Sequence, residues 1–471
     1  MIAALIVLTY LVGFVSSIHA VMNTRTSQGA IAWAVSLNTL PYAAVPAYWV
    51  FGRSKFEGYV VARQNADLRN PETEQVFLST TAPYRPPPRE RASAARAAEA
   101  LAGLPILSGN QVDLLIDGEA TFESIFEGID QAEDYLLIQF YIVRDDGLGR
   151  ALKERLMARA EAGVRVFFLY DEVGSYELPE SYRRELRAAG IQIFAFNSRK
   201  GRRNRFQLNF RNHRKIVVAD GRVAWIGGHN VGDEYLGKSA RFGHWRDTHV
   251  RIEGPSALGA QVSFVEDWYW SAGVLPELQW AAVPAASGSS THALVLPSGP
   301  ADSIETANLM FVSAINISEN RIWIASPYFV PDQAVLVALQ LASLRGVDVR
   351  ILIPDRPDHT LVYLAAFSFF DVATRSGIRF YRYTDGFLHE KALLIDDDVA
   401  AVGTANFDNR SFRLNFEITT IVADPGFASE VETMFVEDFQ NSRQMVEGEF
   451  ERKPWWFRVG ARFARLTAPI L

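Results

Sequence analysis

The residues best equipped for chemistry in this chain form a matched pair of segments. His213-Arg214-Lys215-Ile216-Val217-Val218-Ala219-Asp220 is followed by Gly227-Gly228-His229-Asn230. His389-Glu390-Lys391-Ala392-Leu393-Leu394-Ile395-Asp396 is followed, at the same offset, by Gly403-Thr404-Ala405-Asn406. Both read HxKxxxxD and then G-[GT]-x-N, and with eight His in 471 residues two copies in register are far from chance. An imidazole beside an ammonium, twice over, suits one composite site that binds a phosphate and attacks it. Lys215, Lys391, Asn230 and Asn406 can neutralise and orient the phosphate oxygens. One imidazole can form a covalent phosphohistidine, splitting one hard displacement into two easier ones. The other can protonate the leaving alcohol and then deprotonate the incoming one. The symmetry of the motifs leaves open which histidine attacks. Paired histidines also suggest a metal, but the adjacent lysines would repel a divalent cation and no acidic cluster offers ligand spacing. No metal and no cofactor are therefore expected. Asp220 and Asp396 complete the motifs and are grouped with the catalytic set, although at seven residues from their His they suit fixing a turn better than touching substrate.

The elements that must position these groups follow from hydrophobic period. Lys215–Ala219 and Lys391–Ile395 read as strands, so His and Lys two residues apart point the same way. Asp220-Gly221 and Asp397-Asp398 read as tight turns. The returning strands, Val223–Ile226 and Val399–Val402, deliver the Asn segments beside the His and Lys. Around them strand-like and helix-like runs alternate: Leu136–Val143, Gly147–Ala162, Val164–Tyr170, Pro179–Ala188 and Ile191–Phe196. The scheme recurs in Arg321–Ala325, Pro331–Leu344, Val347–Ile353, Thr360–Thr374 and Ile378–Tyr381. This predicts an α/β fold of two similar halves, 109–283 and 284–445, joined through Gln279–Ser290.

The paired motifs resemble those of the phospholipase D superfamily, whose members carry two HKD motifs, over roughly residues 110–445. Asn209-Phe210-Arg211-Asn212 ahead of His213, Gly232-Asp233-Glu234-Tyr235, Trp245-Arg246-Asp247-Thr248, Arg410-Ser411-Phe412 and Leu414-Asn415-Phe416-Glu417 are similar to bacterial cardiolipin synthases, in the membrane-anchored form with two N-terminal hydrophobic segments. The resemblance implies that phospholipase D-like halves pack about a pseudo-twofold with the motifs meeting at their interface. It implies His213 as nucleophile and His389 as acid/base. It also implies an acid that hydrogen-bonds each imidazole and sets its tautomer, as the orienting member of a triad does. Glu417 and Asp247 are the candidates; Asp247 lies further from its motif, which requires an insertion in Gly237–Trp245. His229, His244 and His249 have no counterparts in the second half and are expected to be structural or surface residues.

Composition bounds the rest. A chain of 471 residues, 49% hydrophobic, can bury two sizeable cores. Without Cys there is neither disulfide nor thiol chemistry, and the net charge of −7 argues against a general nucleic-acid binder. Ile2–Met22 and Ala30–Phe51 are uncharged and each reaches the length of about 20 residues needed to cross a bilayer. They predict a transmembrane hairpin within residues 1–58. The first lacks the basic start of a cleaved signal peptide. The second carries Ser36, Asn38, Pro41 and Pro46, so a kinked or partly interfacial segment is its alternative. Trp33, Tyr48 and Trp49 suit the interface. Arg25 alone separates the segments, whereas Arg53, Lys55, Arg63 and Arg69 follow the second. By the positive-inside rule this puts the catalytic halves on the cytoplasmic side of a bacterial inner membrane.

Residues 59–108, with Pro86-Pro87-Pro88 and the Arg/Ala run Arg89–Ala102, read as a linker with a short helix. Arg199, Lys200, Arg202, Arg203, Arg205 and Arg211 form a basic stretch suited either to anionic headgroups or to solvent. The tail, 446–471, mixes Lys453, Trp455, Trp456, Phe457, Arg458, Arg462, Phe463 and Arg465, as an interfacial helix does; docking on the catalytic body is the alternative. Trp268, Tyr269 and Trp270 are expected to pack.

These readings predict a membrane-bound phosphatidyltransferase that condenses two phosphatidylglycerol molecules into cardiolipin and glycerol through a phosphohistidine. Its partners would be phosphatidylglycerol, other anionic phospholipids and the bilayer, with no nucleic acid; oligomeric state stays open. The rivals are a hydrolytic phospholipase D releasing phosphatidic acid, a nuclease with the same apparatus, and a non-catalytic membrane scaffold.

Overall fold

Ile216–Ala219 and Val223–Gly227 form one β-hairpin, and Ala392–Ile395 with Val399–Gly403 form another, close to the runs predicted from their apolar alternation. Asp220 and Asp396 open the two turns with φ of 54° and 50°, the left-handed region that a short polar side chain tolerates. The computed structural model describes residues 2–24, 26–52, 55–65, 71–87, 92–197 and 209–471. Arg25, Arg53, Arg69 and the basic residues from Arg199 to Arg205 lie outside them.

Each hairpin sits within a mixed sheet. In the first half Gln192–Phe196, Arg165–Asp171 and Tyr135–Phe140 run parallel, and the hairpin, Thr248–Glu253 and Leu107–Ile116 continue antiparallel. The second half repeats this with Arg379–Tyr383, Asp348–Pro354, Arg321–Ala325, its hairpin, Asn415–Ala423 and Thr291–Ser298. Helices Gly147–Glu161 and Glu180–Ala188 supply the parallel crossovers of one half, and Gln333–Leu344 and Thr360–Thr374 those of the other. Antiparallel pairing of Leu107–Ile116 with Thr291–Ser298 fuses the halves into one sheet of 16 strands. These are the two similar α/β halves that the repeat predicts.

Two short parallel pairs cross between the halves. Arg211-Asn212 aligns with Asn415-Phe416, and Trp245-Arg246 aligns with Phe387-Leu388. Each pair ends one residue before a motif histidine on one side and a candidate acid on the other. A core of Phe264, Trp268, Trp323, Leu394, Phe435 and their neighbours lies between the halves. Trp268 and Trp270 are buried, as expected, and Tyr269 is half-buried.

The N-terminal segments depart from the simplest expectation. Ile2–Asn23 is one helix long and apolar enough to span a membrane. The second segment is two helices, Ser27–Thr39 and Pro41–Phe51, so the kinked alternative describes it. Pro41 has no N–H to donate and keeps Leu40 out of the helical region, at φ −132° and ψ 53°. Gly13, Ser16, Ser17 and Ala20 make the buried face of the first helix, where backbones approach closely: a Cβ on Gly13 would meet the Leu37 carbonyl oxygen at 2.3 Å. His19 Nδ1 and Tyr48 Oη lie 2.7 Å apart, and Trp49 donates to Ser16.

Residues 59–108 hold the short helix expected in the Arg/Ala run and further helix besides. Helices Glu57–Asn65, Pro71–Thr81 and Ala92–Ala102 occupy much of them. Phe56 and Tyr59 form a collar with Phe196, Phe210, Trp270 and Phe416 where the anchor joins the body. The tail forms helix Trp455–Arg465, docked on Thr360–Thr374 through the edge-on contact of Phe457 with Phe367 at 5.0 Å.

Candidate phosphodiester site

The cross-half strand pairs determine which acid meets which histidine. His213 donates its backbone N–H to Phe416 O, and His389 donates its own to Arg246 O, at 2.9 and 2.8 Å. The next residue on each partner strand is Glu417 or Asp247. Glu417 Oε2 lies 2.9 Å from His213 Nδ1, and Asp247 Oδ2 lies 2.7 Å from His389 Nδ1. Each acid therefore holds the histidine of the other half. An ionised carboxylate only accepts, so Nδ1–H donates to it in both rings and leaves each Nε2 for substrate; at His389 the Lys391 Nζ also lies 2.7 Å from Nδ1. Neither Nε2 has a hydrogen-bond partner among the described residues, and the side chains are 10% and 11% exposed, enough to present one edge.

The lysines are equally enclosed. Lys215 Nζ donates to His213 O at 2.6 Å, and Lys391 Nζ donates to His389 O and lies 3.8 Å from Asp247. Both His-x-Lys segments immediately precede their strands rather than lying within them. The Lys391 charge acts on His213, and the Lys215 charge on His389, so the four groups share one field. Tyr141, whose ring is 5.0 Å from His213 and 5.5 Å from Lys215 Nζ, completes this end.

Burial pulls Lys215 down to about 7, helped by Lys391 against the pull of Glu417. Burial likewise brings Lys391 to about 8, against Asp247 and Glu417. His389 falls to about 4 through burial and then Lys391, and burial lowers His213 as well, against Glu417. Burial alone would raise both acids, but Lys391 and His389 hold Asp247 low, and His213 and Lys215 hold Glu417 low. In the free enzyme kcat/KM should fall as pH rises through about 7–8, where Lys215 and Lys391 lose their protons. A bound phosphodiester anion favours both ammonium forms, so kcat should hold level to higher pH. Rate profiles in mixed micelles check this, and coincident alkaline limbs for the two constants would contradict it.

The residue inside each His-x-Lys, which the sequence reading passed over, ties the site to a helix. Arg214 donates to Asp267 Oδ2 on Ala257–Ala272 at 2.9 Å, and the same carboxylate accepts from Gln139, Asn212 and the collar residue Tyr59. In the second half the charge is reversed: Glu390 fills the position, and Arg246 reaches across to Glu390 and to Asp438 on Pro425–Gln440, both at 2.7 Å. A charged residue at this position in both copies was the available signal. Arg246→Ala would strand two buried carboxyls and should cost about 3–5 kcal/mol. Arg246→Lys should rescue little, because a point charge cannot serve both partners. Thermal unfolding of the two variants is the check, and an unchanged Tm would refute the strut.

The motif aspartates are corrected out of the catalytic set. Asp220 accepts the N–H groups of Glu133, Asp134 and Tyr135 at 2.8 Å each, and Asp396 those of Glu319, Asn320 and Arg321. Each sits at the far end of its strand from the lysine and fastens the turn to the start of the neighbouring strand. Asp220→Ala should therefore lower stability by about 1–3 kcal/mol while the folded enzyme keeps its kcat; a large loss of kcat at unchanged Tm would reverse the assignment. Asn230 is tied into the fold: its Oδ1 accepts from Ile142 N and one N–H of its Nδ2 donates to Tyr235 Oη, which leaves a second N–H. The Asn406 side chain makes no hydrogen bond to a described residue and stays available. His229 and His249 are buried with Nδ1 atoms 3.1 Å apart, and His244 pairs with Asp117 at 2.6 Å. All three serve structure, as expected.

Residues 125–253 and 311–439 each match the family model described as cardiolipin synthase, PLD-like domain. The chain is 50% identical to cardiolipin synthase A of Pseudomonas putida, over 98% of this chain and 97% of that one. It is 48% identical to cardiolipin synthase A of Pseudomonas aeruginosa, over 98% and 94%. It shares its fold with the crystal structure of phosphatidylserine synthase from Haemophilus influenzae, with a TM-score of 0.60 and 17% identity over 80% of this chain and 100% of that one. The family model and the relatives place the protein among the membrane-associated phosphatidyltransferases of the phospholipase D class, with phospholipid substrates. Within that class, the chain belongs to the cardiolipin synthase family.

Proposed function

We propose that the protein condenses two phosphatidylglycerol molecules into cardiolipin and glycerol. His213 Nε2 attacks the phosphorus of the first lipid and the bond to the glycerol headgroup breaks; His389, entering the step as an imidazolium favoured by the bound phosphodiester anion, gives that oxygen its Nε2 proton and becomes neutral. His389 then takes the proton of the terminal hydroxyl on a second phosphatidylglycerol. That oxygen attacks phosphorus, the P–N bond breaks, and neutral His213 returns. Lys215, Lys391 and Asn406 hold the non-bridging oxygens throughout.

The observation that carries this reading is the exchange of acids between the halves. Glu417 on His213 and Asp247 on His389 leave both Nε2 atoms for substrate, one to attack and one to carry the proton, with two ammonium groups in one shared field. The hydrophobic N-terminal helices favour a multi-pass inner-membrane enzyme, and the arginine bias around them favours a cytoplasmic site. Vesicles of phosphatidylglycerol are the test: glycerol and cardiolipin should appear in equal amounts. Phosphatidic acid as the main product would instead identify a hydrolase.

A further inference from the structure

We propose that the C-terminal helix Trp455–Arg465 is a second membrane contact, laying an outward stripe of its surface into an anionic bilayer. This rests on the membrane-bound reading above. The helix divides into three stripes at helical spacing. Phe457, Ala461 and Ala464 face the body: Phe457 packs on Phe367, and the two alanines are 0% and 4% exposed. Trp455, Val459, Phe463 and Leu466 follow one another at four, four and three residues on a second stripe, with Trp456 beside it. These five apolar side chains are between 44% and 73% exposed. Arg458, Arg462 and Arg465 form the third stripe, along the flank of the apolar one, and all three are exposed.

Both alternatives for the tail thus hold at once: one stripe docks, and its neighbour is left bare. A solvated helix would put polar residues opposite its buried stripe, whereas two Trp, a Phe and a Leu bordered by three Arg fit a headgroup–acyl boundary carrying negative charge. The location agrees. The Leu471 carbonyl accepts from Arg410 N at 2.7 Å, Arg410 donates to the Asn209 carbonyl at 2.7 Å, and the adjacent Phe210 stacks on the collar residue Phe56 at 5.2 Å. The chain's end is thereby tied to the point where the anchor enters the body. Arg410 also acts electrostatically on Tyr141 beside His213.

The absence of Cys makes single-site labelling clean. Full-length Val459→Cys, Phe463→Cys and Asp397→Cys variants, each carrying an environment-sensitive fluorophore, would be placed in phosphatidylglycerol vesicles with brominated acyl chains. Asp397 is the water-facing control: its side chain is 85% exposed, at the turn beyond Asp396. Quenching several-fold stronger at 459 and 463 than at 397 is expected, and it should weaken when Arg458, Arg462 and Arg465 are all changed to Gln. Equal quenching at the three sites would overturn the proposal. So would an intermolecular disulfide from unlabelled Phe463→Cys in unquenched samples, which would assign the stripe to a second copy. Depth is read here rather than turnover, so this proposal and the phosphatidyl-transfer reading can fail independently.

Discussion

A His213→Ala variant is expected to form no covalent phosphatidyl-enzyme and to lose about four orders of magnitude in turnover, whichever leaving group the donor lipid carries. His389→Ala should behave differently. With phosphatidylglycerol its loss should be about 10²–10⁴-fold, since the departing glycerol oxygen needs a proton. With a phosphatidyl ester of p-nitrophenol, whose anion leaves unaided, the first step should survive in His389→Ala. The adduct on His213 should then accumulate, because the acceptor hydroxyl still lacks its base. The motivation is the asymmetry of the two supports. Glu417 accepts from Thr404 Oγ1, Ser411 Oγ and Asn415 Nδ2 in addition to His213, so four donors fix one carboxylate. Asp247 accepts from His389 and its neighbour's Thr248 N, with Lys391 nearby. His213 is the more rigidly held in its Nδ1–H tautomer, which suits a nucleophile; His389 has the looser setting that a proton carrier tolerates. Peptide mapping of a lipid-labelled intermediate decides the matter, and a label on His389 would exchange the two roles.

Much of this site was legible in the chain. The hairpins were readable because their apolar residues are buried on both faces and bounded by Asp-led turns, so period and punctuation agree. The duplication gave the two halves, and the likeness to cardiolipin synthases gave Glu417 and Asp247. Three things were not legible. The first is the crossover of acids, since distance along the chain says nothing about which strand of the other half lies alongside. The longer offset of Asp247 has a local cause: Asp233–Leu236 forms a 3-10 turn, and the loop that follows, with Gly237 and Gly243 at positive φ, carries His244 to Asp117 before the chain returns at Trp245. The second is the fate of Asn230 and Asn406. They hold matching sequence positions, but only the first makes side-chain hydrogen bonds to described residues, to Ile142 N and Tyr235 Oη, so one amide is anchored and the other is not. The third is residues 59–108. Proline and alanine runs suggested a spacer with one short helix, while burial of Tyr59 depends on aromatic partners far along the chain.

The crossover has a kinetic consequence of its own. Glu417→Gln should lower kcat by about 10²–10⁴-fold with little change in KM, since the tautomer and charge of a catalytic imidazole are at stake rather than lipid binding. Phosphorylation of His213 at Nε2 leaves a cationic ring with its proton on Nδ1, and an ionised carboxylate 2.9 Å away stabilises that cation where a neutral amide does not. Asp247→Asn should be comparably damaging with phosphatidylglycerol, because His389 must become a cation when it takes the acceptor's proton. The two variants separate on the p-nitrophenyl donor. Release of the first equivalent of p-nitrophenol should be nearly normal in Asp247→Asn and should stay slow in Glu417→Gln. The second-half acid would thus fail together with the first-half histidine, and the first-half acid together with the second-half histidine. Were each acid instead serving the motif of its own half, Glu417→Gln would copy His389→Ala and the burst would survive in it. A stopped-flow trace of the p-nitrophenol burst in the two variants therefore reports directly on whether the halves trade carboxylates across their interface.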